Sequence, residues 1–124
     1  MAGEKNFENR IKKFLEDEGC YFIKHFANAY TKSGIPDLLV CCNGNFVAVE
    51  VKASNGKPSE LQLYNIHKIN EAGGFGVIVC PEQFDDLKEV IKCLKCLSRS
   101  HARVMCEQIN ERWMKKWHKY HTAE

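Results

Sequence analysis

The residues of this sequence with the clearest chemical potential are two carboxylates and one ammonium group, Asp37, Glu50 and Lys52. Two runs rich in valine and leucine separate Asp37 from Glu50, and Asn43-Gly44 lies between those runs. An Asn-Gly pair in this setting is the strongest short-range indication of a β-hairpin with a two-residue turn, because both turn positions need a positive φ. The pattern therefore predicts a hairpin over 34–52, around which the chain is organised.

A two-residue turn fixes the pairing of the two strands, and that register sets Asp37 directly opposite Glu50. Residues that face each other in this way share one face of the sheet, with Cβ atoms about 4.5–5.5 Å apart. Because side chains alternate along a strand, Lys52 joins the face of Glu50. The opposite face receives Val47, Val49 and Val51. The sequence therefore predicts that two carboxylates and an ammonium group meet at one end of the hairpin.

Two carboxylates in such positions repel each other and destabilise the sheet unless something compensates. A divalent cation is the usual compensator, and the hard, oxygen-seeking Mg²⁺ suits a pair of carboxylates better than a soft metal does. The alternative is a surface hairpin that carries ordinary acidic and basic side chains. We favour the metal site, since the register alone brings the charges together.

An ordered set of residues on the expected elements carries a resemblance to a known family. The set is Glu8, Gly34-Ile35-Pro36-Asp37, Glu50-Val51-Lys52 and Gln62. It resembles the PD-(D/E)XK nuclease motif and, more narrowly, the VRR-NUC group, which is similar to archaeal-type Holliday junction resolvases. The resemblance covers roughly residues 5–80.

The resemblance implies an α/β fold with a PD-(D/E)XK, restriction-endonuclease-like core. A mixed central sheet of about four strands would be flanked by helices in the order α-β-β-β-α-β, with further C-terminal helices. We expect a single nuclease domain over 1–124, with its core at about 5–97 and a helical extension at about 98–121. Small stand-alone domains of this kind are common in viruses and mobile elements, which makes a phage an expected source.

The resemblance also implies a function and the residues that perform it. Asp37 and Glu50 would bind Mg²⁺ or Mn²⁺, with the Val51 carbonyl as a further ligand and Glu8 assisting directly or through water. Lys52 would orient or deprotonate the attacking water and stabilise charge on the phosphate. The expected activity is hydrolysis of branched DNA, above all of four-way junctions, to 5′-phosphate and 3′-hydroxyl ends in repair or recombination.

Two other functions stay open at this point. One is a nuclease or nickase of the same fold that acts on flaps or plain duplex. The other is a non-catalytic nucleic-acid-binding module, whose hallmark would be a broken triad, whereas Asp37, Glu50 and Lys52 are all present.

Two of the site residues have competing explanations. Glu8 lies at the edge of an apolar helical stripe, and its charge could simply stabilise the helix through the dipole at the helix N-terminus. Glu4 is the competing candidate for the metal ligand on this helix. Gln62 follows Ser59 at the spacing of a capping box, so it could reach back to the start of its helix. The resemblance instead places Gln62 beside the catalytic lysine, and both roles can coexist.

Periodicity places the other elements along the chain. Residues 5–18 carry apolar side chains at helical spacing, and Gly19 ends that helix. The remaining predictions are a strand over 20–26, a loop over 27–35, a helix over 58–72, a strand over 75–80 parallel to the second hairpin strand, a helix over 81–96 and a helix that begins after residue 98.

Several polar residues near the hairpin are candidates for contacts with DNA phosphates. They are Lys24, Tyr30, Lys32, Ser33 and Lys57. A solvated polar loop explains each of them about as well. The net charge of the chain is only +2, so any electrostatic attraction for DNA has to be local.

The C-terminal helix carries a stripe of large apolar residues, among them Trp113, Trp117 and Tyr120, which pack either on the domain or across a dimer. A four-way junction has approximate two-fold symmetry and must be cut on two strands, so we expect a homodimer with part of this helix at its interface. Off the stripe lies a basic row that is either a solvated face or a contact with the DNA backbone. Its members are Arg112, Lys115 and Lys119.

The chain contains seven cysteines and no apolar run near 20 residues. An odd cysteine count without a secretory signal favours free thiols in a reducing, cytoplasmic setting and no membrane partner. A spaced quartet of possible zinc ligands is a weak signal, since cysteines on an amphipathic helix are commonly buried as small apolar residues. The quartet is Cys93, Cys96, His101 and Cys106.

Overall fold

The computed structural model describes residues 2–28 and 33–121, without the side chains of residues 2, 116 and 118–121. The elements in chain order are α1 (Ala2–Asp17), β1 (Tyr21–Lys24), β2 (Leu38–Cys42), β3 (Asn45–Val51), α2 (Glu60–Glu71), β4 (Phe75–Val79), a 3-10 turn (Pro81–Gln83), α3 (Phe84–Lys95) and α4 (Arg99–His121). The predicted order α-β-β-β-α-β, followed by C-terminal helices, is confirmed. None of the helices within the described ranges is long and apolar enough to cross a membrane.

The central sheet has the strand order β1-β2-β3-β4. The pairs β1–β2 and β2–β3 are antiparallel, and β3–β4 is parallel, as predicted. Asn43 and Gly44 form the turn with φ values of 50° and 80°, so both positions are left-handed, as the Asn-Gly pair requires. The ladder runs from Cys42–Asn45 to Leu38–Val49, which is the predicted register.

The hydrophobic core lies on one face of this sheet. Val47, Val49 and Val51 are fully buried there, as the alternation predicts. Helix α1 adds its apolar stripe to this core through Phe7, Ile11 and Leu15, and α3 and α4 complete the core. The α4 residues in the core are Ala102, Cys106 and Ile109.

Several element boundaries differ from the predictions; helix α1, for example, begins at Ala2 rather than at residue 5. Strand β1 ends at Lys24 rather than at residue 26, although the His25 N–H still donates to the Asp37 carbonyl at 2.8 Å. The predicted helix over 81–96 begins as a 3-10 turn, and α3 proper starts at Phe84. The Gln83 side chain accepts a hydrogen bond from the Cys80 N–H at 3.2 Å, which holds this tighter turn.

Helix α4 covers the outer edge of β4. The Asn110 side chain accepts a hydrogen bond from the Ile78 N–H at 3.0 Å and donates to the Gly76 carbonyl at 2.8 Å. The Trp113 indole N–H donates to the Ile78 carbonyl at 2.7 Å. Side chains of a helix thus satisfy edge groups that would otherwise invite another strand.

The prediction that the tryptophans of α4 form an exposed dimer seam is wrong. Trp113 is bonded to β4, and Trp117 is only 9% exposed. The Trp117 ring lies 6.2 Å from the ring of Tyr64 and 5.8 Å from that of His67, both on α2. Tyr120 falls outside the side chains that the structure describes. Trp113 and Trp117 therefore pack on their own chain, where α4 covers the open edge of β4 and the side of α2.

The edge contacts of Asn110 yield a stability prediction. Asn110→Ala should lower the free energy of unfolding by about 1–3 kcal/mol, because it leaves the buried Ile78 N–H without a partner, while Gly76 still accepts from Asn70 at 2.9 Å. Urea denaturation followed by circular dichroism measures the change. Gln108→Ala, on the exposed face of the same helix, should change it by less than about 0.5 kcal/mol. Equal effects of the two substitutions would contradict the role given to Asn110.

Candidate active site

Asp37 and Glu50 lie where the hairpin register puts them, one position beyond the last ladder pair. The Asp37 carboxylate accepts a hydrogen bond from the Val51 N–H at 2.7 Å, which ties the residue before β2 to the end of β3. Lys52 follows directly, with its Nζ 3.7 Å from Glu50 Oε2. The structure therefore brings together the three residues that the sequence singled out.

Gly34 lets the loop before Asp37 approach α2 closely. Its φ is +80°, and a Cβ on it would lie 2.7 Å from the Leu61 carbonyl carbon and 2.8 Å from Asn65 Nδ2. Asn65 also donates to the Ser33 carbonyl at 3.3 Å. This close packing, which only glycine allows, fixes the approach of the chain to Asp37.

Gln62 completes the predicted capping box and also contacts Glu50, while its position beside the catalytic lysine and its catalytic role stay predictions. Its side-chain oxygen accepts a hydrogen bond from the backbone N–H of Ser59 at 2.9 Å. Its backbone N–H donates to the Ser59 hydroxyl at 3.2 Å, which completes the capping box. The side-chain amide nitrogen of Gln62, Nε2, donates to Glu50 Oε2 at 3.0 Å. One amide therefore caps α2 with its oxygen and orients the buried carboxylate with its nitrogen.

Lys24 lies between the carboxylates of Glu8 and Asp37. Its Nζ is 2.8 Å from Glu8 Oε1 and 3.4 Å from Asp37 Oδ1. Burial opposes the charge of Lys24, but the two carboxylates outweigh it and raise the pKa of this lysine above its ordinary value. Sequence reasoning took Lys24 for a DNA contact and missed this bridge, because it depends on how α1 lies beside β1.

Glu8 is held by two lysines. Besides Lys24 it meets Lys12, whose Nζ is 3.2 Å from Glu8 Oε2, one helical turn along α1. Burial raises the pKa of Glu8, yet hydrogen bonds from Lys24 and Lys12 bring it below the ordinary value. The spacing of four residues was the signal that could have identified Lys12.

The metal role of Glu8 stays a prediction. Among the described residues, Glu8, Asp37 and Glu50 do not form a set of three whose ligand atoms all lie within 4.8 Å of one another. Glu4 and Glu8 line one cavity of about 340 Å³ beside Lys24 and Asp37. Of the two glutamates, Glu8 is the one linked to Asp37 through Lys24.

Glu50 has the most perturbed environment at this end of the sheet. It is 3% exposed, and its Oε1 is buried without a hydrogen-bond partner among the described residues. Burial, followed by the charge of Asp37, raises the pKa of Glu50 to about 8, although Lys52 acts in the opposite direction. A buried oxygen without a donor, next to a second carboxylate, fits a hard divalent cation. Asp37 and Glu50 would hold it.

Of the predicted DNA contacts, Lys24, Ser33 and Lys57 lie within the described residues. Lys57 and Ser33 are exposed, whereas Tyr30 and Lys32 fall outside the described residues. A cavity of about 250 Å³ lies between the segments that flank the loop after β1 and the site. Its lining includes Lys24, His25, Phe26, Ile35, Asp37 and Gln62. Contact of these residues with DNA stays a prediction.

One member of the basic row on α4 also reaches this region. The Arg112 guanidinium donates to the Ser54 carbonyl at 3.1 Å, so it holds the loop that follows Lys52. Lys115 is exposed, and the Lys119 side chain is not among those described.

Comparison with known protein families gives a match over more than half of the chain. The family model described as "Archaeal Holliday junction resolvase (hjc)" matches residues 2–76, which is more than half of the chain. The matched segment runs from α1 into β4 and contains every residue predicted for the site. No curated protein and no solved structure matches the chain.

The environment of Glu50 predicts how stability depends on pH when metal is removed by a chelator. A folded-state pKa near 8, above the ordinary 4.5, means that the folded protein keeps a proton that the unfolded chain has lost. The free energy of unfolding should therefore fall as pH rises from about 4.5 to about 8. Glu50→Gln mimics the protonated form, so its stability relative to the wild type should grow across this interval and level off above it.

Urea denaturation at a series of pH values measures that difference. Glu60→Gln, at an exposed position of α2, is the matched control and should follow the wild-type curve. Parallel curves for Glu50→Gln and the wild type would show that Glu50 does not titrate in this way.

Proposed function

The chain belongs to the archaeal Holliday junction resolvase (hjc) family, a PD-(D/E)XK-type nuclease family, and from that premise we propose that it is a metal-dependent, structure-selective DNA endonuclease that resolves four-way junctions. The observation that carries this proposal is the convergence of Asp37, Glu50, Lys52 and Gln62 at one end of the β2–β3 hairpin. We further propose that the chain resembles the VRR-NUC group, because of Gly34, the short gap between Asp37 and Glu50, and Gln62.

The nucleases of this family depend on divalent metal, and we propose Mg²⁺ or Mn²⁺ as the ion here. Asp37 and Glu50 would hold it, with the Val51 carbonyl as a further ligand and Glu8 assisting, directly or through water. When bound, such an ion lowers the pKa of a water molecule and neutralises charge that develops on a phosphate. The buried Oε1 of Glu50, which lacks a donor among the described residues, supports this assignment.

Lys52 and Gln62 supply the chemistry that comes from the chain itself. The Lys52 ammonium lies beside Glu50 and is mostly buried, so it can place positive charge or a proton against a phosphate oxygen with little competition from water. Gln62 restricts the rotation of Glu50 and presents it in one orientation. An intact, packed lysine at this position favours a catalyst over a module that only binds nucleic acid.

The DNA backbone would approach from the loop side of the site. We propose Lys24, Tyr30, Lys32, Ser33 and Lys57 as its contacts. Each neutralised phosphate adds salt-dependent, sequence-independent affinity. The seven cysteines all carry free thiols, which supports action in a reducing cytoplasm.

We propose a homodimer as the active form, with an interface different from the α4 stripe. The sheet face opposite the valine core is only partly covered by α2. Its uncovered part carries Tyr21, Ile23 and Phe46, which are 70%, 53% and 47% exposed. The register places Tyr21, Cys41 and Phe46 in one row across β1, β2 and β3. An apolar sheet face of this kind, adjoining the site, suits a second copy related by a two-fold axis.

Cleavage of defined DNA structures tests the proposed activity. In Mg²⁺ or Mn²⁺ the protein should cut a four-way junction in preference to flap, duplex and single-stranded DNA. Asp37→Asn should abolish cleavage, and Lys52→Ala should slow it by about 10²–10⁴-fold while DNA binding persists. Glu60→Gln is the control that should keep full activity. A fully active Asp37→Asn would exclude this site, and equal cleavage of all substrates would exclude junction selectivity.

Sedimentation equilibrium tests the proposed dimer. Ile23→Glu places a charge in the uncovered sheet face and should convert the dimer to a monomer that makes single rather than paired cuts in a junction. Val104→Glu changes an equally apolar residue that is 46% exposed on α4 and should leave the dimer intact. A wild-type monomer that still makes paired cuts would contradict the proposal.

A further inference from the structure

Outside the candidate active site, three side chains of the types that ligate metals converge at the corner between α3 and α4. Glu89 and Cys93 lie one turn apart on α3, and His101 lies at the beginning of α4. The Cys93 Sγ is 3.7 Å from Glu89 Oε1, and His101 Nε2 is 3.9 Å from that same oxygen. Among the residues that the structure describes, they form a set whose ligand atoms all lie within 4.8 Å of one another.

These separations are close to those of a tetrahedral zinc centre. Zinc binds thiolate at about 2.3 Å and imidazole or carboxylate at about 2.0–2.2 Å, so two ligand atoms at tetrahedral angles are about 3.4–3.6 Å apart. Small side-chain rotations would bring the observed atoms to that spacing. We propose that Glu89, Cys93 and His101 form a second metal site, which binds Zn²⁺ or another soft transition metal with water in the fourth position.

The chemistry of the donors separates this site from the first. A thiolate and an imidazole select zinc over magnesium, whereas the site on the hairpin offers carboxylate oxygens, which select hard ions. Cys93 is 7% exposed, while Glu89 and His101 are about half exposed, so an ion has a route from solvent to the thiol. Burial, followed by the charge of Glu89, raises the pKa of Cys93, and a bound cation would reverse that effect by displacing the thiol proton.

The set differs from the spaced quartet that the sequence suggested. Cys93 and His101 belong to both, but Glu89 takes the place of Cys96 and Cys106. Cys96 is exposed at the end of α3, and Cys106 is buried in the hydrophobic core. The sequence pattern did not include Glu89 as a ligand, because the pattern begins at Cys93 and Glu89 lies one helical turn before it.

A metal here would fasten α4 to α3. The family match ends at residue 76, so both helices lie outside the matched segment. Helix α4 also provides Asn110 and Trp113 to the edge of β4. The ion would therefore stabilise the C-terminal helices without taking part in the cleavage of DNA.

Titration of the 124-residue chain with Co²⁺ tests the proposal, because a cobalt–thiolate bond gives a charge-transfer absorption that an all-oxygen site cannot give. The wild type should show this band at one equivalent, and Zn²⁺ should displace the cobalt and raise the midpoint of thermal unfolding. Cys93→Ser should lose the band. His101→Ala, at an exposed position that leaves packing intact, should weaken Zn²⁺ binding at least about tenfold.

Two controls separate this site from the other thiols and from the hairpin. Cys41→Ser removes an exposed thiol on β2, and Asp37→Asn alters the carboxylate pair; both should keep the cobalt band. Absence of the band in the wild type, its persistence in Cys93→Ser or its loss in Asp37→Asn would overturn the proposal. None of these readouts depends on nuclease activity.

Discussion

The register of the β2–β3 hairpin is the constraint on which the rest of the structure depends. A slip of one residue would turn Glu50 into the valine core and turn the valines toward α2. Asn43 and Gly44 prevent that slip, because the two left-handed residues close the turn in one way. The same register brings the carboxyl groups of Asp37 and Glu50 together, and the charge of Asp37 is one cause of the raised pKa of Glu50. Keeping the two groups adjacent therefore opposes folding at any pH where both are ionised.

Neighbouring groups make that pair tolerable. Lys24, at the end of β1, lies 3.4 Å from Asp37, while Gln62 from α2 and Lys52 from the residue after β3 lie against Glu50. Helix α2 therefore contacts the pair directly through Gln62, and α1 reaches it indirectly, through the Glu8–Lys24 ion pair. Because the amide of Gln62 also caps α2, the position of a helix and the orientation of a carboxylate depend on a single side chain.

The parts of this molecule that sequence alone predicts are those set by local chemistry. The turn, the strand alternation and the capping box each involve residues a few positions apart, and all of them are present in the structure. The packing of α4 was not predictable in this way, because a stripe of tryptophans looks the same whether it meets another chain or its own sheet. Lys24 shows the same limit: its type was evident, but its two partners depend on how a helix lies against a strand.

Glu89 illustrates a related difficulty. Cysteine and histidine attract attention by being uncommon, whereas a glutamate on an amphipathic helix resembles any other solvated charge. Its proximity to His101 appears only when α4 turns back along α3, although Cys93 lies one turn along the same helix. Pattern searches built on cysteine spacing therefore miss sites in which a carboxylate replaces one thiol.

The bond between Asn110 and Ile78 joins residues 32 positions apart, and this separation has a consequence for synthesis on the ribosome. Strand β4 leaves the ribosome before the helix that covers its edge. During that interval the nascent sheet presents a bare parallel edge, which is the kind of surface that recruits strands from other chains. Until α4 emerges and covers the edge of β4, only chaperones or rapid elongation limit the time for which that edge can pair with other chains.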